Sequence, residues 1–148
     1  MQLHPYLNFD GNCREAFEFY HKCLGGEITL MITYGDMPAD ENPDAPEGCV
    51  DPASMAECAD LIAHVSLAFG DAVLMASDSP PGFYEAPAGT ACSLQISDPV
   101  EGKAVFDRLS EGGTVKMPFG PTDWAKGFGM FNDKFGVPWM VNCEGAAD

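Results

Sequence analysis

One building block is written twice in this chain, and that duplication constrains the fold more than any other feature. In the first copy LHPYLNF reads as a strand, NCREAFEFYHKCL as a helix, Gly25-Gly26 as the helix stop and EITLMITY as a second strand. Asn12 followed by Glu15 has the spacing of a capping box, in which each side chain serves the other's backbone N–H. Cys13, Ala16, Phe17, Tyr20 and Leu24 recur at helical spacing and form one apolar stripe. Strand parity then sets Leu3, Leu7 and Phe9 toward that helix, and His4, Tyr6 and Asn8 on the opposite face.

Roughly 87 residues later the same order returns in ACSLQISDPVEGKAVFDRLSEGGTVKMPF. Asp98 is the expected N-cap, with Glu101 completing the box. Pro99 takes the first helical position, where its missing N–H costs nothing. Val105, Phe106 and Leu109 make the stripe and Gly112-Gly113 the stop. Leu94 and Ile96 face the helix, which leaves Ala91, Ser93 and Gln95 on the other side of the strand. A repeat of this period implies one supersecondary unit duplicated.

Further strands complete each copy. LIAHVSLAFG alternates, with Leu61, Ala63, Val65, Leu67 and Phe69 on one face and Ile62, His64, Ser66 and Ala68 on the other. Gly70-Asp71 turns it into AVLMASD. In the second half, AKGFGMFND and VPWMVNC follow GTVKMPF, with Pro138 at a strand-entry or edge position. The expected class is therefore α+β: two βαβββ modules forming curved sheets around a shared cleft, helices on the outer faces. Module one spans about 1–78 and module two about 90–144, within a single domain over 1–148. Asp78 to Gly89 reads as a proline-rich linker. Gly35 to Asp60 is a long acidic connection whose carboxylates lack the order of a calcium loop, so it reads as a solvated loop.

Charge excludes some partners. With 23 acidic against 7 basic residues the net charge is −16, which repels phosphate backbones and anionic lipid, so nucleic acid and membrane surfaces are not expected. No apolar run of about 18 residues and no basic leader occurs, which points to a cytoplasmic protein. The six cysteines include no CxxC and read as reduced, mostly buried thiols. None has the context of a nucleophile paired with a histidine. Gly127-Phe128-Gly129 lies in a strand pattern with no helix after it and is not a phosphate loop.

The stretches PYLNFDGNCREAFEFY, IAHV, SDSPPG and above all GFGMFNDKFGVPWMVN resemble the PhnB-like branch of the vicinal oxygen chelate superfamily, which includes glyoxalases, bleomycin-resistance proteins and extradiol dioxygenases. The resemblance covers nearly the whole chain. It implies a homodimer and a cleft in which metal-using members chelate two adjacent substrate oxygens on a divalent ion. Carried over, the ligand positions fall on His4, Met75, Ala91 and Met140, of which only His4 is a competent hard ligand. The metal centre is therefore expected to be lost, and no cofactor is expected.

What remains is a small-molecule binder or a metal-independent enzyme of unnamed substrate. His4 is the candidate catalytic residue, as a general base or hydrogen-bond partner. Tyr6, Asn8, Met75, Ser77, Gln95, Trp124, Phe128, Met140 and Asn142, with Met130 beside them, are the candidate cleft lining. His64 is assigned to packing or a subunit contact and His21 to the surface. Two other readings stay open: a metal-dependent lyase or dioxygenase with rearranged ligands, and a drug-sequestering resistance protein of the bleomycin-binding type.

Overall fold

A computed structural model describes residues 1–37 and 56–145, and the chain divides into two compact units, Met1–Glu85 and Ala86–Asp148. In the first, β1 (Tyr6–Phe9), α1 (Cys13–Leu24), β2 (Glu27–Thr33), β3 (Ile62–Phe69) and β4 (Ala72–Asp78) follow one another. They form a four-stranded sheet of order β1-β4-β3-β2. The second contains β5 (Cys92–Gln95), α2 (Pro99–Ser110), β6 (Thr114–Gly120), β7 (Ala125–Asn132) and β8 (Pro138–Glu144), ordered β5-β8-β7-β6. In both, the strand before the helix pairs parallel with the last strand, and the remaining pairs are antiparallel. The α+β class and its two βαβββ units are thus as the repeat implies.

Each helix covers one face of its own sheet. On α1, Cys13, Ala16, Phe17 and Tyr20 are fully buried, and Phe17 meets Phe9 and Tyr20 edge-on at 6.3 and 5.6 Å. Val65, Leu67, Leu74 and Ala76 are buried on the same side of the sheet. On α2, Phe106 stands edge-on to Phe131 at 5.0 Å and tilted against Phe119 at 5.7 Å. Burying an aromatic or branched side chain of this size stabilises the fold by about 1.5–3 kcal/mol. Gly127 and Gly129 explain themselves here. A Cβ on Gly127 would collide with the Phe119 ring, and one on Gly129 with the Phe106 ring, so the glycines of β7 admit two phenyl rings.

Three local expectations are corrected. Asn12 makes no side-chain cap bond; instead Asp78, at the far end of β4, accepts from Cys13 N at 3.0 Å. The reason is that a fixed carboxylate from a neighbouring strand reaches the helix start in place of the local amide. Asp98 does cap α2, accepting from Val100 N at 2.9 Å. Leu3 does not face the helix: β1 begins only at Tyr6, and Leu3 is 97% exposed. Ile62 is buried although alternation placed it beside His64. A register shift, with Thr33 opposite Ile62 but Ile32 opposite His64, inserts one extra residue in β3 and reverses the parity. The acidic connection lies largely outside the described residues, which stop at Met37 and resume at Ala56.

Of the five described cysteines, Cys13, Cys23, Cys58 and Cys143 are buried and Cys92 partly so. Burial, aided by the charge of Asp133, pushes the Cys92 thiol up to about 11. Burial, aided by Asp78, pushes Cys13 higher still. A thiol that holds its proton in the folded state while the unfolded chain releases it makes stability full below pH 9 and falling from there toward about 11. We expect the urea midpoint to drop between pH 8.5 and 10.5, and the drop to shrink in Cys13→Ala/Cys92→Ala. An equal drop in that variant would assign the alkaline loss to other groups.

Candidate functional site

The face of the second sheet opposite α2 carries Phe128, Met130, Asn132, Pro138, Met140 and Asn142, all partly exposed, alternating with buried Phe131, Trp139, Val141 and Cys143. β5 runs beside β8 with Ser93 opposite Met140 and Gln95 opposite Asn142. Over this face lies a hollow of about 540 Å³, lined by residues 87–91, Lys116, Met130, Asn132, Pro138 and Met140. Lys116 reaches it because the register of β6 slips there. Val115 is opposite Phe131 and Met117 opposite Met130, so Lys116 is the extra residue of a bulge, a device that re-aims a side chain. Asn132 Oδ1 is buried without a hydrogen-bond partner. Leaving such an acceptor unpaired costs about 1–3 kcal/mol. Asn142 Nδ2 donates to Gln95 Oε1 at 2.7 Å and Gln95 Nε2 to Ser93 Oγ at 2.9 Å, which holds a polar ladder beside the hollow.

On the first sheet the face opposite α1 holds Tyr6 beside Met75 and Asn8 beside Ser77, with Ser66 next to Met75. Tyr6 Oη lies 3.3 Å from His64 Nδ1, and His64 Nε2 lies 3.0 Å from Ser66 Oγ. The Tyr6 and His64 rings stand 5.7 Å apart. His4 precedes β1, half-buried, with Nε2 3.3 Å from Gln2 Oε1. Trp124 is 62% exposed just before β7 and meets Phe128 edge-on at 5.9 Å.

The sequence-derived lining is therefore distributed. Met140 and Met130 border the hollow, Gln95 and Asn142 stand in the ladder, and Tyr6, Asn8, Met75 and Ser77 share the first sheet's open face. Trp124 and Phe128 are not among the hollow's lining residues. Lys116 and Asn132 were not singled out from the sequence, and His64 was assigned to packing or a subunit contact. Parity put His64 on the right face, but its partner Tyr6 comes from a strand two places away in the sheet order.

The donor set does not fit a divalent ion. Of the four positions carried over from metal-using members, Met75, Ala91 and Met140 offer a thioether, nothing and a thioether, which are poor partners for a hard cation. Among the described residues no group of three or more His, Cys, Asp or Glu side chains comes together to hold one.

This arrangement of paired βαβββ units defines a known class. Residues 2–141 match the Glyoxalase/Bleomycin resistance protein/Dioxygenase superfamily, and the chain belongs to it. It is similar to Protein YjdN of Escherichia coli (strain K12), 39% identical over 142 residues that cover 96% of this chain and 95% of that one. Among solved structures it is similar to protein PA1353 from Pseudomonas aeruginosa. The two are 46% identical, with a TM-score of 0.82 over 97% of this chain and 98% of that one. It is also similar to a structure described as a putative 3-demethylubiquinone-9 3-methyltransferase, PhnB protein, from Bacillus cereus. There the identity is 25% and the TM-score 0.70, over 97% and 99% of the two chains. These likenesses support the PhnB-like branch.

Proposed function

We propose that this protein binds a small molecule on the open face of its second sheet, and that any chemistry performed there proceeds without a bound divalent ion. The observation that carries this reading is the 540 Å³ hollow, within the range of small-molecule sites and built from an apolar floor with a few polar groups. Met130, Met140 and Pro138 would take the apolar body of a ligand. Lys116 and Thr90 would take its polar end. Methionine side chains adapt to irregular ligand shapes, which suits a site of broad tolerance.

His4, in the first unit, is proposed separately as a general base, the role read for its imidazole from strand parity. A homodimer belongs to the proposal as well. Val115 and Met117 on the edge strand β6 are exposed apolar side chains that a second copy would cover.

The test is a fragment screen by ligand-observed NMR. Hits should lose at least about tenfold in affinity in Met140→Trp, which fills the hollow, a change of about 1.4 kcal/mol. The thermal midpoint should stay within a few degrees of wild type. Hits that bind Met140→Trp undiminished would overturn the site. Any turnover the protein shows should fall at least about tenfold in His4→Ala; an unchanged rate removes His4 from catalysis.

A further inference from the structure

The duplicated fold provides an internal control for the hydrogen-bonded trio on the first sheet. Met75 and Met140 occupy matching positions, since β1 aligns Tyr6 with Met75 and β5 aligns Ser93 with Met140. Counting along the antiparallel partners, Ser66 faces Met75 as Met130 faces Met140. His64, two residues before Ser66, therefore corresponds to Phe128, two residues before Met130. The second unit builds the same sheet with Ser93, Phe128 and Met130 where the first has Tyr6, His64 and Ser66. The fold does not require an imidazole and two hydroxyls at these places.

We propose that His64, held between Tyr6 and Ser66, is a proton-accepting site for a ligand with an apolar body and a weakly acidic hydroxyl. Both ring nitrogens of His64 face hydroxyl oxygens, at 3.3 Å to Tyr6 and 3.0 Å to Ser66. A hydroxyl both donates and accepts, so the ring gains a proton without leaving a nitrogen unpartnered. In the tautomer with hydrogen on Nε2, that N–H donates to Ser66 Oγ while Nδ1 accepts from the Tyr6 hydroxyl.

The step balances within the trio. The ligand O–H bond breaks and its proton passes to Tyr6 Oη as the Tyr6 proton passes to His64 Nδ1. The ligand becomes an oxyanion and His64 an imidazolium; nothing is oxidised or reduced. Tyr6 is the contact point, being 46% exposed. Across the sheet Ser66 faces Met75 on β4 and Leu30 on β2, and His64 faces Ile32 on β2, all uncharged. Glu27 on β2 pairs with Ala68, further along β3. An apolar body would lie against Met75, Leu30 and Tyr6. This site does not use the hollow of the second unit, so either proposal can fail while the other stands.

The probe is p-nitrophenol, whose anion absorbs in the visible. Added about one pH unit below its own midpoint, wild-type protein should raise its phenolate absorbance at least about threefold. The His64 ring nitrogens should move toward imidazolium shifts in NMR, while those of His21 stay in place. His64→Phe, which installs the residue of the equivalent position, and Tyr6→Phe should both lose the absorbance gain and keep the wild-type far-ultraviolet spectrum. Wild-type protein that leaves the phenol neutral overturns the proposal. So does a gain that survives His64→Phe, or a His64 ring that does not respond in the wild-type protein.

Discussion

Replacing Asp133 by alanine is expected to lower the unfolding free energy by about 4 kcal/mol, the largest loss anticipated for any single polar side chain described. Asp133 is only 3% exposed. Its Oδ1 accepts from Phe135 N at 2.9 Å and Val137 N at 3.0 Å, and its Oδ2 from the Trp139 indole at 2.8 Å. Alanine strands those three donors in the turn that joins β7 to β8. Each buried donor left unmade costs about 1–3 kcal/mol, with losses in one network adding incompletely. Asn in place of Asp keeps one oxygen for the two backbone donors and denies the indole its acceptor, so about half the cost remains. Urea unfolding followed by tryptophan fluorescence measures both. A loss below about 1 kcal/mol for Asp133→Ala would mean that water replaces the carboxylate.

Asp78→Ala should cost about 3 kcal/mol, for a related reason in the first unit. Asp78 is 2% exposed and joins two elements, accepting from Cys13 N at 3.0 Å and from Ile62 N at 2.8 Å. Its negative charge lies at the N-terminus of α1, where the helix dipole favours it. Removing it leaves the first turn of α1 and the start of β3 without their acceptor. Hydrogen exchange should therefore quicken at Cys13 and Ile62 before it changes in β7 or β8. Asn12→Ala should cost less than about 0.5 kcal/mol, because its side chain makes no cap bond. If Asn12→Ala proved the costlier of the two, the helix start would be held locally after all.

That contrast shows where sequence reading stops. The stripe Cys13, Ala16, Phe17, Tyr20 and the alternation of Val65 and Leu67 are periodic, local signals, and both helices and the strands follow from them. Asp78 capping a helix 65 positions earlier is not local, since it depends on β4 lying parallel beside β1. The bulges at Lys116 and around Ile62 each change which side chain meets which face, and a one-residue shift leaves no mark in hydrophobic spacing. So Met140 was legible as a site residue from the family resemblance, while Lys116 beside it was not. His64 was read onto the correct face, yet its pairing with Tyr6 needed the strand order. The glycines of β7 were legible as strand residues, but their use in admitting Phe106 and Phe119 appears only with α2 and β6 in place.

The most direct measurement is a titration of isotope-labelled protein with the best fragment hit, read amide by amide. Binding on the open face of the second sheet predicts shifts confined to residues 87–91, Lys116, Met130 to Asn132 and Pro138 to Met140, growing to one saturable limit. Shifts centred on the outer surfaces of α1 or α2, with those residues silent, would contradict it.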